Sequence, residues 1–198
     1  MDRPAARIPS FDRVDAANDA GVGTLKFARD RDGDMSLGQR VGGDRQLARL
    51  LQIGVVLEEV VEARASQHFR SLSPEGRAEL GEDIEELLEH AAEESAEHRE
   101  RLEALIDELD AESVAYEEIE ALVAAKYDQP EDFDGILYDQ LYGEETAYKF
   151  YDDLVEAIED SDVEFGVDHD RLLGTLREIR AEEEEGVQEV TEIMEERA

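Results

Sequence analysis

Four long stretches of this chain repeat apolar residues every three or four positions, and a segment with that spacing can bury them together only by coiling into an amphipathic α-helix. The first stretch runs from about Asp44 to Leu72 and carries Leu47, Leu51, Val55, Val61, Ala65 and Phe69. The second carries Ile84, Leu87, Leu88, Ala91, Leu102, Leu105 and Leu109. The third runs from about Glu131 to Ser161 through Leu137, Leu141, Tyr148, Tyr151, Val155 and Ile158. The fourth follows Asp168, a suitable N-cap, and shows Leu172, Leu176, Ile179, Val190 and Ile193. Strand-type alternation is absent.

The connections between the stretches limit the topology. Ser71-Leu72-Ser73-Pro74-Glu75-Gly76 is a turn signal with Gly81 as a second breaker, so the first two helices are expected to be antiparallel neighbours, as are the last two. Between the pairs stand about twenty residues, 111–130, with one short amphipathic helix carrying Ile119, Leu122 and Val123. Two hairpins joined by one long crossover give an all-α, ferritin-like four-helix bundle over residues 35–198. Residues 1–34 are dominated by Asp, Arg, Gly and Ala without an apolar period. They are expected to form a flexible N-terminal arm, with Met35 as an alternative start.

Charge decides the setting. The chain has 55 acidic residues against 20 basic ones, a formal charge of -35, and its only lysines are Lys26, Lys126 and Lys149. A compact body so charged repels itself in dilute buffer, and concentrated salt screens that repulsion to within a few ångströms. The composition therefore predicts a salt-adapted protein of an extreme halophile. A disordered acidic chain is the rival, but 41% hydrophobic residues in periodic runs oppose it. With no basic face to neutralise phosphates, no nucleic-acid partner is expected. There is no cysteine, which excludes disulfides, thiolate ligands and thiol nucleophiles. No stretch approaches the roughly 20 apolar residues of a membrane span, and no apolar secretion segment opens the chain, so a cytoplasmic, membrane-free protein is expected.

Polar residues that interrupt the apolar stripes are the functional candidates. Glu58 and Glu62 sit in line with Leu51, Val55 and Phe69. Glu94 and His98 lie between Ala91 and Leu102. Glu144 stands seven residues from both Leu137 and Tyr151, and Glu183 lies between Ile179 and Val190. About one position in four is acidic, so a single glutamate on a stripe carries no information. Matched depth carries more. The midpoint of Glu144 and Glu183 falls at 163–164, inside the predicted turn, and that of Glu62 with Glu94 and His98 falls near 79, inside the breaker-rich stretch. Carboxylates converging in an apolar core cost several kcal/mol each unless protonated, paired or bound to a cation. No Lys or Arg interrupts the stripes centrally. Oxygen-rich ligation with one imidazole suits iron or manganese. His68, His90 and His169 are expected at boundaries or in solvent, and Tyr148 and Tyr151 in the core.

The pattern resembles rubrerythrins and related ferritin-like di-iron carboxylate proteins over about residues 44–197. In that family two helices each give a Glu, often with an aromatic seven residues on, as in Glu62 with Phe69 and Glu144 with Tyr151. The other two each give Glu-x-x-His. Ala92-Glu93-Glu94-Ser95-Ala96-Glu97-His98 is similar to one such motif and Ala181-Glu182-Glu183-Glu184-Glu185-Gly186 to the other. Ser95 and Gly186, however, stand where a ligand is expected. The resemblance implies Glu62, Glu94, His98, Glu144 and Glu183 as metal ligands, with Glu58 and Glu97 as reserves. It also implies a di-iron centre, or a single iron or manganese ion, and reaction of reduced iron with peroxide or oxygen. The family's four-cysteine module is excluded here. The alternative is a non-catalytic bundle with a degenerate site, acting as a structural or partner-binding protein. Bundles of this type often pair, so a homodimer is among the expected assemblies.

Overall fold

The structure is a computed structural model that describes residues 28–29, 35–36, 41–71, 81–109, 111–115, 118–119 and 135–197, with side-chain surroundings from residue 41 onward except 66–71. Four helices form a bundle: α1 (Asp44–Ser71), α2 (Glu82–Ile106), α3 (Ile136–Glu159) and α4 (His169–Glu196). Of the expected arm, Ala28–Arg29 (β1) is described. It pairs antiparallel with Met35–Ser36 (β2) in a two-residue ladder that no alternating pattern announces.

Side-chain contacts give the direction of every neighbouring pair. α1 and α2 are antiparallel: Gly54 lies against Leu102, Glu58 near His98 and Glu62 against Arg99. α3 and α4 are antiparallel, with Asp152 paired to Arg180 and Glu159 to Arg177. α1 and α3 run opposite ways through Arg64–Asp139, Val61–Gly143 and Gly54–Phe150. α2 and α4 do so through Asp83–Arg197, His98–Glu182 and Glu108–Arg171. The end of α2 and the start of α3 therefore lie at opposite ends of the bundle, as a long crossover requires. The crossover expected at 111–130 falls mostly outside the described residues. Within it, Ile119 is buried, and Gln52 donates to the Val114 carbonyl at 2.9 Å and accepts from the Val114 N–H at 3.0 Å.

Local rules explain the helix ends. Asp168 caps α4 by accepting from the Arg171 N–H at 2.9 Å. Asp44, in the first turn of α1, accepts from the Gly166 N–H at 3.0 Å, and the Ser161 hydroxyl donates to the Val41 carbonyl at 2.7 Å. These bonds tie the α3–α4 connection to the start of α1. Glu82, Asp83 and Glu85 place negative charge at the positive end of α2. The last turns of α2, α3 and α4 contain no basic residue, so their negative ends gain no counter-charge from the helix itself.

Two apolar clusters fill the interior. The larger gathers Leu47, Leu51, Leu102, Leu105, Leu154, Ile158, Leu172, Leu176 and Ile179 with their neighbours, next to the α3–α4 connection. The smaller, at the far end, consists of Ala65, Ile84 and Leu88 with partly buried Ile136, Leu137 and Ile193 against them. Buried polar groups lie between the two. No helix among the described residues is long and apolar enough to cross a membrane.

Candidate metal centre

Each helix contributes at least one buried titratable side chain to this middle layer. Glu58 comes from α1, His98 from α2, Glu144 from α3 and Glu183 from α4, with exposures of 0%, 1%, 5% and 3%. The helical stripes carry them inward because each lies close to a whole number of turns from apolar neighbours: Leu51 and Leu47 below Glu58, Leu102 and Leu105 beyond His98, Tyr151 and Ile158 beyond Glu144, Leu176 and Ile179 below Glu183.

The geometry around His98 is the core of the site. Its Nδ1 lies 2.9 Å from Oε1 of Glu183 and 3.5 Å from Oε1 of Glu58. Oε2 of Glu58 has no hydrogen-bond partner. Ligands about 2.1 Å from one ion and at right angles to each other stand about 3 Å apart, so these spacings suit donors aimed at a common point. Buried polar atoms are rarely left without a partner. Glu58, His98 and Glu183 could hold a metal ion together.

Surrounding side chains fix the carboxylates. The Tyr151 hydroxyl donates to Oε1 of Glu58, the oxygen that lies nearest His98, while Oε2 is buried without a hydrogen-bond partner. The tyrosine reaches that position because Gly54 sits beneath it; a Cβ there would lie 3.2 Å from the hydroxyl and 3.1 Å from Leu102 Cδ1. Gln140 donates to Oε1 of Glu144 at 2.6 Å. Burial pushes the Glu144 carboxyl up to about 7, with the charges of Glu58 and Glu94 adding to the rise. Burial and the charge of Glu58 likewise hold Glu183 well above the usual carboxylate range. At His98 burial alone would favour the neutral ring, but the adjacent carboxylates of Glu183 and Glu58 outweigh it and raise the imidazole to about 11. Without a cation the layer therefore offsets its negative charge with an imidazolium and by protonation of a buried carboxyl. A divalent ion would replace both.

The candidates from sequence divide into two groups. His98, Glu144 and Glu183 are brought together. Glu62, expected among the ligands, is not: Arg99 takes its carboxylate, and its side chain is 34% exposed. Glu58, one turn earlier and held only in reserve, occupies the buried position. Arg99 directly follows His98, and its presence on that flank was the available signal that Glu62 would be diverted. Glu94 sits at the rim, where burial raises its carboxyl, and with His98 and Glu182 it forms a second, outer group. Glu97 pairs with Arg101. Glu182 went unnoticed in a run of glutamates, although Arg101 in α2 could have pointed to it. Ser95, in the expected ligand position, is buried. At Gly186 a Cβ would lie 2.5 Å from Oε2 of Glu144, so the Glu144 carboxylate fills the space a ligand side chain would need. His90 and His169 are exposed, and the side chain of His68 lies outside the described residues.

No family model, no curated protein and no solved structure matches this chain.

Proposed function

We propose that this protein binds one redox-active divalent metal ion, iron before manganese, in the cage formed by Glu58, His98, Glu144 and Glu183. The observation that carries the reading is the fully buried group of Glu58, His98 and Glu183, whose donor atoms lie close enough together to share one ion and in which Glu58 Oε2 has no hydrogen-bond partner. Three carboxylates and one imidazole form an oxygen-rich donor set that suits iron or manganese. One ion fits better than two. The cage has a single imidazole, Arg99 holds Glu62, Arg101 holds Glu182, and Gly186 offers no side chain.

Bound reduced iron would supply electron transfer to peroxide or oxygen, as in the ferritin-like proteins the sequence resembles. The chain's own part is to position the donors and exclude water. Tyr151 orients Glu58, Gln140 steadies Glu144, and His98 gives up a proton when it becomes a ligand. Anaerobic titration of the metal-free protein with Fe²⁺ in molar salt tests this directly. One ion per chain, lost in the Glu58→Gln plus Glu183→Gln variant, followed by faster iron oxidation on adding peroxide, is the expected result. Equal iron uptake by wild type and double variant would overturn the reading.

A second reading is a bundle with a partly protonated polar layer and no metal, acting in structure or partner binding. The arginine pairs of Glu62 and Glu182, together with the raised Glu144 carboxyl, favour it because they offset part of the charge without a cation. It predicts that no metal binds and that the same double variant folds as stably as wild type or better.

A further inference from the structure

The two nitrogens of His98 face different environments. Nδ1 points to the buried cage, 2.9 Å from Glu183, whereas Nε2 lies 3.0 Å from Oε2 of Glu182 on the outer side. That same oxygen accepts from Nη1 of Arg101 at 2.7 Å, and the second Arg101 nitrogen reaches Glu97 at 3.6 Å. A carboxylate held by a guanidinium is ionised and can only accept, so the proton on this contact belongs to Nε2. A neutral imidazole protonated at Nε2 keeps its lone pair on Nδ1, the atom that faces Glu58 and Glu183.

We infer that Glu182, anchored by Arg101, is a positioning residue that locks His98 in the orientation and tautomer in which Nδ1 can ligate a cation in the cage. This rests on the metal reading above and deepens it. Histidine ligands regularly donate their second N–H to a carboxylate, which fixes the ring and raises its basicity. The outer group of Glu94, His98 and Glu182 is thereby a support for the cage and not a second ion site, since Arg101 already supplies the positive charge there. Glu182 is itself about one-third exposed, so its replacement spares the apolar core.

Co²⁺ is a suitable probe because its spectrum reports the ligand set and its paramagnetism shifts the resonance of a bound imidazole N–H. Wild type with Co²⁺ in molar salt is expected to show one shifted, slowly exchanging N–H signal from His98. Glu182→Ala should lose that signal to exchange with water and bind Co²⁺ about 10- to 100-fold more weakly. Glu182→Gln retains an acceptor oxygen and should recover the signal and much of the affinity. Arg101→Leu, which leaves the carboxylate untethered, should fall between. Unchanged affinity and an unchanged N–H signal in Glu182→Ala would overturn the positioning role while the cage itself stood. Failure of wild type to bind Co²⁺ at all would overturn the cage, and the positioning role with it.

Discussion

Where α1 and α4 begin, leucines and isoleucines from all four helices close into a continuous core, and Ser161, Asp44 and Asp168 tie the connections down. At the opposite end Ala65, Ile84 and Leu88 are the members of the only other buried cluster found among the described residues, and the flanking Ile136, Leu137 and Ile193 remain partly open. The polar layer of Glu58, His98, Glu144 and Glu183 stands at the border between them. The difference shows what the two halves depend on. The first is held by apolar burial, which is indifferent to ligands. The second adjoins a layer whose four side chains come from four separate helices, so a cation there would join all four where apolar packing thins.

The strongest way to break this contrast is a matched pair of truncations. Leu102→Ala, in the continuous core, should cost about 2–5 kcal/mol in chemical denaturation, toward the upper part of that range. Leu88→Ala should fall at its lower end, because a loosely packed site collapses more readily around the lost atoms. Equal losses would mean that the two ends are equally well packed. Next in size is the effect of the ion. Fe²⁺ at 100 times its dissociation constant should stabilise wild type by about 2.7 kcal/mol, and Glu58→Gln should lose most of that gain. Hydrogen exchange should show the added protection mainly at the Leu88 end.

A smaller effect concerns pH. The Glu144 carboxyl, raised in the fold to about 7, binds its proton more tightly folded than unfolded. The metal-free protein should therefore lose stability as pH rises from the ordinary carboxylate range to about 7. Glu144→Gln should flatten the slope in that window, read from melting temperatures at constant salt. The His98 contribution, raised to about 11, has the same sign over a higher pH window. It is fully present below the usual imidazole range and fades as pH rises through about 11. Loading the cage should release protons, so metal affinity should rise with pH over the same interval. The smallest expected change is Asp168→Ala, which removes the α4 N-cap and should cost about 1 kcal/mol without altering metal binding.

Much of the bundle was legible in the sequence because helical burial writes a period into it. The four stripes, the α4 cap at Asp168 and the inward placement of His98, Glu144 and Glu183 all follow from spacing alone. The short ladder at Ala28–Arg29 left no such trace, since two residues per strand are too few to show alternation. Glu58 and Glu62 show where spacing runs out. They are one turn apart, both lie within the apolar arc of α1, and a one-dimensional period cannot separate them.

What the sequence determined by itself was the helical class, the acidic character and the fact that carboxylates would meet inside. Each is a property of single segments or of composition. Only the tertiary structure decided which carboxylates meet: Arg99 drew Glu62 to the flank, Arg101 anchored Glu182 behind His98, Tyr151 donated to Glu58, and Glu144 filled the space above Gly186. The physical reason is that a charge buried in a low-dielectric interior is governed by neighbours within a few ångströms, and here those neighbours belong to other helices.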